Sequence, residues 1–152
     1  MSATGGPAEL LLLDTNVLIH LARADEVGKW VAENYRLEER AERPLLCTVV
    51  EAEIRALASY RKWGARKLEE LGKLLDECVR VEVDRPAVID SYVELYSFAR
   101  STGRAIWQKN QNDLWLAATA RATDAILLTQ DADFDFLHPE QIQVELVPSE
   151  AP

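Results

Sequence analysis

The sequence contains few of the residues that build zinc sites and disulfide scaffolds. It has two cysteines, Cys47 and Cys78, and two histidines, His20 and His138. The cysteine spacing matches no zinc-binding pattern and both cysteines stand among apolar residues, which predicts buried free thiols. Neither histidine has a partner ligand at metal-binding spacing, so we expect both to be structural. These observations argue against a zinc centre and against a disulfide-stabilised fold.

Long apolar runs are also missing. No stretch of the sequence approaches the roughly 18 apolar residues that a membrane-spanning helix requires. The segment from Met1 to Glu9 lacks the basic start and the apolar stretch of a secretory signal. We therefore expect a cytoplasmic protein that has no membrane partner and keeps its thiols reduced.

What the chain does contain is typical of a globular protein. It has 152 residues, of which 48% are hydrophobic and 28% charged. This length predicts a single domain over residues 1–152, with an ordered core from about residue 9 to residue 147. The net charge of −9 argues against a protein that holds nucleic acid by overall positive charge.

Positive charge is restricted to a few segments. Five basic residues and no acidic residue occur from Arg55 to Lys67, and a second acid-free window contains Arg100, Arg104 and Lys109. A solvated helix face is the ordinary explanation of such a window. The alternative is a track for an RNA backbone, whose binding would weaken steeply with salt. The candidate RNA-binding residues are Arg55, Arg61, Lys62, Arg104 and Lys109.

Short apolar runs alternate with longer stretches of helical spacing. The runs predict five strands at Leu10–Leu13, Leu45–Cys47, Val79–Val83, Ala125–Thr129 and Val144–Val147. Between the first two, residues 25–43 form a charged segment that we predict to be helical. Strands that are continuously apolar and alternate with helices indicate a parallel sheet covered on both faces. The predicted fold class is α/β, in three α/β/α layers around four to five parallel strands.

Several acidic side chains stand where these strands end. Asp14 directly follows the first strand, and Asp131 follows the fourth after one further residue. Glu53 lies early in the helix after the second strand, and Asp113 begins the helix that leads into the fourth. Strand carboxyl ends and the N-termini of crossover helices share one edge of a parallel sheet. We therefore expect these four acids to converge, with Asp133 two residues beyond Asp131.

Two residues close in sequence to the predicted acids, Glu51 and Asn112, receive structural roles. Thr48-Val49-Val50-Glu51 has the pattern of a capping box, in which Glu51 would reach back to the cap amide. Glu53 would then point about 200° away around the helix and be free for chemistry. Asn112, directly before Asp113, is the predicted N-cap of its helix.

The predicted acid cluster suits a hard metal ion. Carboxylates at one rim repel one another, so the pKa of at least one is expected to rise unless a cation joins them. Oxygen ligands without histidine or cysteine favour Mg²⁺ or Mn²⁺. One or two such ions would activate water and neutralise a phosphodiester oxygen, which predicts phosphodiester hydrolysis. The alternative is that each acid is an ordinary helix-start or turn residue.

Four segments resemble the four motifs of PIN-domain ribonucleases, in an order and spacing similar to VapC-type toxins of type II toxin–antitoxin systems. They are Leu11–Ile19, Thr48–Arg55, Asn112–Ala118 and Leu127–Phe134. The resemblance spans about residues 9–147. It implies a parallel sheet between helices, an endoribonuclease dependent on Mg²⁺ or Mn²⁺, a homodimer, and inhibition by an antitoxin whose tail enters the active-site groove.

The resemblance also implies roles for particular residues. The implied catalytic and metal-binding acids are Asp14, Glu53, Asp113 and Asp131, with Asp133 as an auxiliary ligand. Thr15 and Asn16 would organise the first turn, and Thr129 would support the site through hydrogen bonds. The second motif departs from the common Ser-x-x-Thr-x-x-Glu pattern, because Cys47 and Val50 stand at its serine and threonine positions.

Two other functions remain open beside the predicted RNA hydrolase. A PIN-like module could bind RNA or a partner without cleaving, although the complete set of acids argues against it. A haloacid-dehalogenase-like phosphatase would need a second acid two residues after the first. Position 16 is instead Asn16, and no suitably placed lysine follows the later strands.

Overall fold

The computed structural model describes residues 9–104 and 111–152. Its centre is a five-stranded, all-parallel sheet with the strand order β3-β2-β1-β4-β5. The strands are β1 (Leu11–Leu13), β2 (Leu45–Cys47), β3 (Val79–Val81), β4 (Ile126–Thr129) and β5 (Gln143–Leu146). The predicted parallel sheet is confirmed, and it has the upper of the two predicted strand numbers.

Helices follow the strands in the alternating order that the sequence predicts. They are α1 (Thr15–Arg23), α2 (Glu26–Asn34), α3 (Thr48–Tyr60), α4 (Ala65–Asp76), α5 (Pro86–Ser101), α6 (Gln111–Thr123) and a 3-10 helix (Ala132–Leu137). The chain moves outward from β1 to β3 and then crosses back to β4. Because parallel crossovers are right-handed, these two directions place helices on opposite faces, as in a three-layer fold. Within the described ranges, none of the helices has the length and apolarity needed to cross a bilayer.

The two central strands form the most deeply buried part of the core. Leu12 of β1 pairs in register with Leu127 of β4, and Leu13 pairs with Leu128. All four side chains are fully buried, and burial of each leucine contributes roughly 1.5–3 kcal/mol. The residues that directly follow β1 and β4 are therefore held on a rigid base.

The prediction of a helix in the charged segment 25–43 is confirmed over Glu26–Asn34 and wrong for the rest of the segment. Helix α2 ends at Asn34, and Arg36 has a φ of +50°, a left-handed conformation that ends a helix. Tyr35 is buried at this point, and its hydroxyl donates to Glu145 Oε1 at 2.8 Å. The anchoring of Tyr35 against β5 is a tertiary contact that turns the chain where the local pattern alone allowed the helix to continue.

Both cysteines are buried free thiols, as predicted. Burial raises the pKa of the Cys78 thiol to about 11. Cys78 therefore stays protonated near neutral pH and packs as a small apolar residue.

Candidate metal centre

Asp14 lies at the carboxyl end of β1 and caps α1. Its Oδ1 accepts from the Thr15 backbone N–H at 2.7 Å, and its Oδ2 accepts from the Thr129 hydroxyl at 2.7 Å. The residue is only 7% exposed. Burial raises its pKa above the ordinary aspartate value, the two hydrogen bonds oppose this, and the charges of Glu53 and Asp131 raise it further. Asp14 is thus a nearly buried acid that faces other acids.

Thr129, the last residue of β4, connects two of the acids. Its hydroxyl donates to Asp14 and accepts from the backbone N–H of Asp131 at 3.0 Å. Asp131 in turn caps the 3-10 helix by accepting from the Asp133 N–H at 2.9 Å. A single buried hydroxyl therefore sets the positions of Asp14 and of the turn that carries Asp131.

Glu53, in the second turn of α3, is held by two donors from other helices. Oε1 accepts from the Thr15 hydroxyl at 2.9 Å, and Oε2 accepts from Asn112 Nδ2 at 3.2 Å. Asn112 is not the N-cap that the sequence predicted, because α6 has already begun at Gln111. Its amide instead joins the start of α6 to α3, a tertiary contact that no local pattern signals.

The predicted capping box at the start of α3 does not form. Helix α3 begins at Thr48, and Cys47 before it makes no side-chain cap hydrogen bond. Thr48 is therefore inside the helix and is not its cap. Glu51 is consequently one position too far along to reach the cap amide. It forms ion pairs with Arg55 Nε at 2.9 Å and with Arg80 Nε at 3.0 Å. Glu51 therefore has a structural role, as predicted, but through a different partner set.

Asp113, in the first turn of α6, is the most strongly perturbed carboxyl group of the cluster. Burial, followed by the charges of four neighbouring acids, raises its pKa to about 7. In decreasing order of effect, these neighbours are Asp14, Asp131, Glu53 and Asp133. The charges of the three other acids predicted to converge, and that of Asp133, therefore act on Asp113.

Asn16 connects the first turn of α1 to the end of β4. Its Oδ1 accepts from the Gln130 backbone N–H at 3.2 Å, and its Nδ2 makes a long 3.5 Å contact to Asp14 Oδ2. Asn16 is therefore an uncharged side chain that joins α1 to the residue after β4. A phosphatase of the kind considered above would need an acid here.

The PIN-domain family model matches residues 11–137, which is most of the chain. The chain belongs to the PIN-domain family. PIN domains are typically nucleases and generally depend on divalent metal ions. No curated protein matches the chain.

Several solved structures share this PIN fold. VapBC2 from Rickettsia felis, bound to a DNA fragment from its promoter, has a TM-score of 0.75 at 19% identity over 91% of this chain and 99% of that chain. VapBC-1 from nontypeable Haemophilus influenzae has a TM-score of 0.70 at 21% identity, covering 90% and 97%. VapBC-5 from Mycobacterium tuberculosis, a member of the VapBC family of toxin–antitoxin systems, has a TM-score of 0.59 at 24% identity, covering 91% and 98%. At these identities the likeness shows the fold.

The acid cluster of this PIN domain fits a hard cation by its donor chemistry. The clustered side chains offer carboxylate, hydroxyl and amide oxygens, which Mg²⁺ and Mn²⁺ prefer. Among the described residues, no three histidine, cysteine or acidic side chains form a ready-made metal-binding group. Mg²⁺ needs no such cage, because it is usually held by one or two carboxylates together with several waters and substrate phosphates.

The predicted RNA-binding cations lie at separate places. Arg55 is in the second turn of α3, whereas Arg61 and Lys62 follow the end of that helix. Arg61 is six positions after Arg55, a distance of about 9 Å along the helix axis. Arg104 is exposed after the end of α5, and Lys109 lies outside the described residues.

Proposed function

We propose that this chain is a single-domain, Mg²⁺- or Mn²⁺-dependent endoribonuclease that acts in the cytoplasm as the toxin of a toxin–antitoxin pair. The observation that carries the proposal is the convergence of Asp14, Glu53, Asp113 and Asp131 at the carboxyl edge of a PIN-domain sheet. The toxin assignment is supported by the VapBC toxin–antitoxin structures that share the fold. An antitoxin protein and RNA are the proposed partners.

The proposed metal ligands are Asp14, Glu53, Asp113 and Asp131, with Asp133 as an auxiliary ligand for one or two ions. When bound, a divalent ion neutralises phosphodiester charge and lowers the pKa of water. Thr15 and Asn112 hold the two oxygens of Glu53 in place. Thr129 donates to Asp14, which favours the deprotonated form that a metal ligand requires.

The proposed homodimer has a candidate surface on α5. Ile89 is 42% exposed and Val93 is 59% exposed, and they lie one helical turn apart on the same face. Tyr92 and Tyr96 on the same helix stack on each other, with ring centroids 6.5 Å apart. An exposed apolar stripe of this kind is typical of a surface that another protein covers.

The proposed activity is tested by changing Asp14 to asparagine. Asparagine keeps the shape of the side chain but removes the negative charge, so cleavage of structured RNA in Mn²⁺ is expected to fall more than about 100-fold (at least about 2.7 kcal/mol of transition-state stabilisation). Asp90→Asn, at an exposed site on α5, is the matched control and should cleave normally. Circular dichroism checks that both variants are folded.

Two results would contradict the mechanism. One is full activity in Asp14→Asn. The other is cleavage by the wild-type protein in an excess of chelator, because the proposed reaction requires the metal that chelation removes.

A further inference from the structure

Two arginines from different elements share the carboxylate of Glu51. Arg55 Nε lies 2.9 Å from Glu51 Oε2, and Arg80 Nε lies 3.0 Å from Glu51 Oε1. Arg55 is one turn further along α3, whereas Arg80 is the middle residue of the edge strand β3. Arg55 and Arg80 thus form an arginine pair on the surface. The proposed metal chemistry of the acid cluster gives this pair no role.

The pairing of β3 with β2 explains how the two arginines meet. Arg80 lies in register with Leu46, two residues before α3 begins at Thr48. Successive side chains of a strand alternate between the two faces of the sheet, so the exposed Arg80 points away from the face that buries Val81. The side chain of Arg80 thereby reaches the first turn of α3, where Glu51 lies. The arginine pair is therefore positioned by a strand and a helix of the rigid core.

The arginine pair is open to a ligand, although the carboxylate between the two arginines is not. The side chain of Glu51 is only 15% exposed, whereas those of Arg55 and Arg80 are 60% and 62% exposed. Each arginine contacts Glu51 through Nε. In the part of the chain that the structure describes, neither guanidinium makes a second hydrogen bond or ion pair. The Nη donors of both guanidinium groups are therefore available to one ligand.

The charge of the arginine pair exceeds what Glu51 requires. A single arginine would neutralise the carboxylate, so the second leaves one positive charge in excess, in a chain whose net charge is −9. Ion pairs of exposed side chains contribute only about 0–1 kcal/mol, so stability alone does not account for the second arginine. Guanidinium groups bind phosphate oxygens through paired N–H donors. The pair therefore suits a ligand with one negative charge and several acceptor oxygens, such as a phosphodiester.

The position of the arginine pair favours RNA over an acidic protein surface. Glu51 and Glu53 stand about 200° apart around α3, so the pair and the acid cluster lie on opposite sides of the start of this helix. A helix with its side chains is about 10–12 Å across, which a stacked strand spans in about three or four nucleotides at roughly 3.4 Å each. The core of a protein interface is apolar, yet Val79, the exposed apolar residue next to Arg80, points to the other face of β3.

We propose that Arg55 and Arg80 together bind one phosphodiester group of an RNA strand whose neighbouring segment lies over the acid cluster. Glu51 is the positioning residue, because it holds the two guanidinium groups side by side and offsets their mutual repulsion. The identification of this strand as the substrate of the acid cluster rests on the proposed function. Binding of RNA at the arginine pair does not itself require cleavage.

The test measures RNA binding after each arginine is neutralised. The probe is a fluorescent, single-stranded RNA of 12 nucleotides, and its anisotropy is recorded in chelator between about 50 and 200 mM salt. The variants are Arg55→Gln and Arg80→Gln, each of which leaves Glu51 with one arginine. Arg66→Gln is the matched control, because it removes the same charge from an exposed position on α4. Circular dichroism checks that all variants are folded.

Arg55→Gln and Arg80→Gln are each expected to bind the RNA at least about threefold more weakly than the wild-type protein, whatever the RNA sequence. The slope of log affinity against log salt should become shallower by about 0.7 in each variant. Arg66→Gln should bind as the wild-type protein does. Absence of RNA binding to the wild-type protein, an equal loss in Arg66→Gln, or a loss in only one arginine variant would overturn the proposal. So would tighter binding of a labelled glutamate peptide that Arg80→Gln abolishes, because the pair would then bind protein carboxylates.

Cleavage kinetics in Mn²⁺ separate this inference from the proposed function. Arg80→Gln is expected to raise KM at least about threefold and to leave kcat unchanged, because the arginine pair binds the strand away from the reacting phosphate. An unchanged KM in Arg80→Gln would overturn the role of the pair and leave the proposed nuclease standing. If RNA binding depends on Arg80 but the wild-type protein cleaves no RNA, the proposed function fails and the phosphate site stands.

Discussion

Replacement of Asp113 by asparagine is expected to stabilise the metal-free protein at neutral pH. Burial and four neighbouring acids raise the pKa of Asp113 to about 7. Near and above that pH the folded protein must therefore hold a poorly solvated negative charge among like charges. Asparagine has nearly the same shape and carries no charge, so the variant avoids this cost.

The size and the sign of the effect follow from proton binding. The folded protein keeps the Asp113 proton up to about pH 7, whereas the unfolded chain releases it near the ordinary value of 3.8. Between these values the folded state binds more protons, so the free energy of unfolding decreases as the pH rises. The folded and unfolded pKa values differ by about three units, which corresponds to a loss of at most about 4 kcal/mol in the free energy of unfolding. Because Asp113 is only half-buried, we expect solvent screening to reduce this loss of unfolding free energy to about 2 kcal/mol.

Urea denaturation in the presence of chelator measures this difference. At pH 4 the two proteins should have similar stabilities, because Asp113 is protonated in the wild-type protein. At pH 8 Asp113→Asn should be more stable by about 2 kcal/mol. Added Mn²⁺ should then stabilise the wild-type protein more than the variant. A difference between the proteins that does not change with pH, or a less stable variant at pH 8, would refute the reasoning.

Two further predictions concern the ligand set and the assembly. Glu53→Gln should weaken Mn²⁺ binding, measured by calorimetry, by more than the roughly tenfold cost of losing a residue that only supports a metal ligand. Glu51→Gln should leave the Mn²⁺ affinity unchanged and lower the free energy of unfolding by about 1 kcal/mol. Equal metal affinities in these two variants would show that Glu53 is not a ligand. Val93→Glu should convert a dimer into a monomer in light scattering, because it places a charge in the apolar stripe on α5. A dimer in both proteins would contradict that interface.

The acid cluster could be anticipated from the sequence because its placement depends on the topology of the sheet more than on individual side-chain contacts. A parallel sheet brings the end of every strand to one edge, whichever order the strands take. Asp14 and Asp131 were therefore expected at the same edge, and the pairing of β1 with β4 in the structure places the ends of their strands side by side. The same rule placed Asp113, in the first turn of α6, and Glu53, in the second turn of α3, at that edge.

The hydrogen bonds that arrange the acids could not be anticipated in the same way. The amide of Asn112 reaches Glu53 across two helices, and the partner of Glu51 on β3 is Arg80. The local pattern at Thr48 instead favoured a capping box, since a short motif carries no information about side chains from distant elements. The end of α2 was missed for the same reason, because the burial of Tyr35 decides it.

The free-energy cost of holding the acid cluster favours the proposal of a cation-binding site. It argues against the alternative of a module that only binds RNA or a partner. Asp14 is nearly buried and Asp113 has a strongly raised pKa, so the metal-free protein holds these carboxylates against both desolvation and mutual repulsion. A non-cleaving module would gain stability by losing the charge of Asp113. A divalent cation reverses the balance, because it turns repulsion among the acids into attraction toward a shared charge. The destabilised arrangement is thus what the proposed metal-dependent site would require.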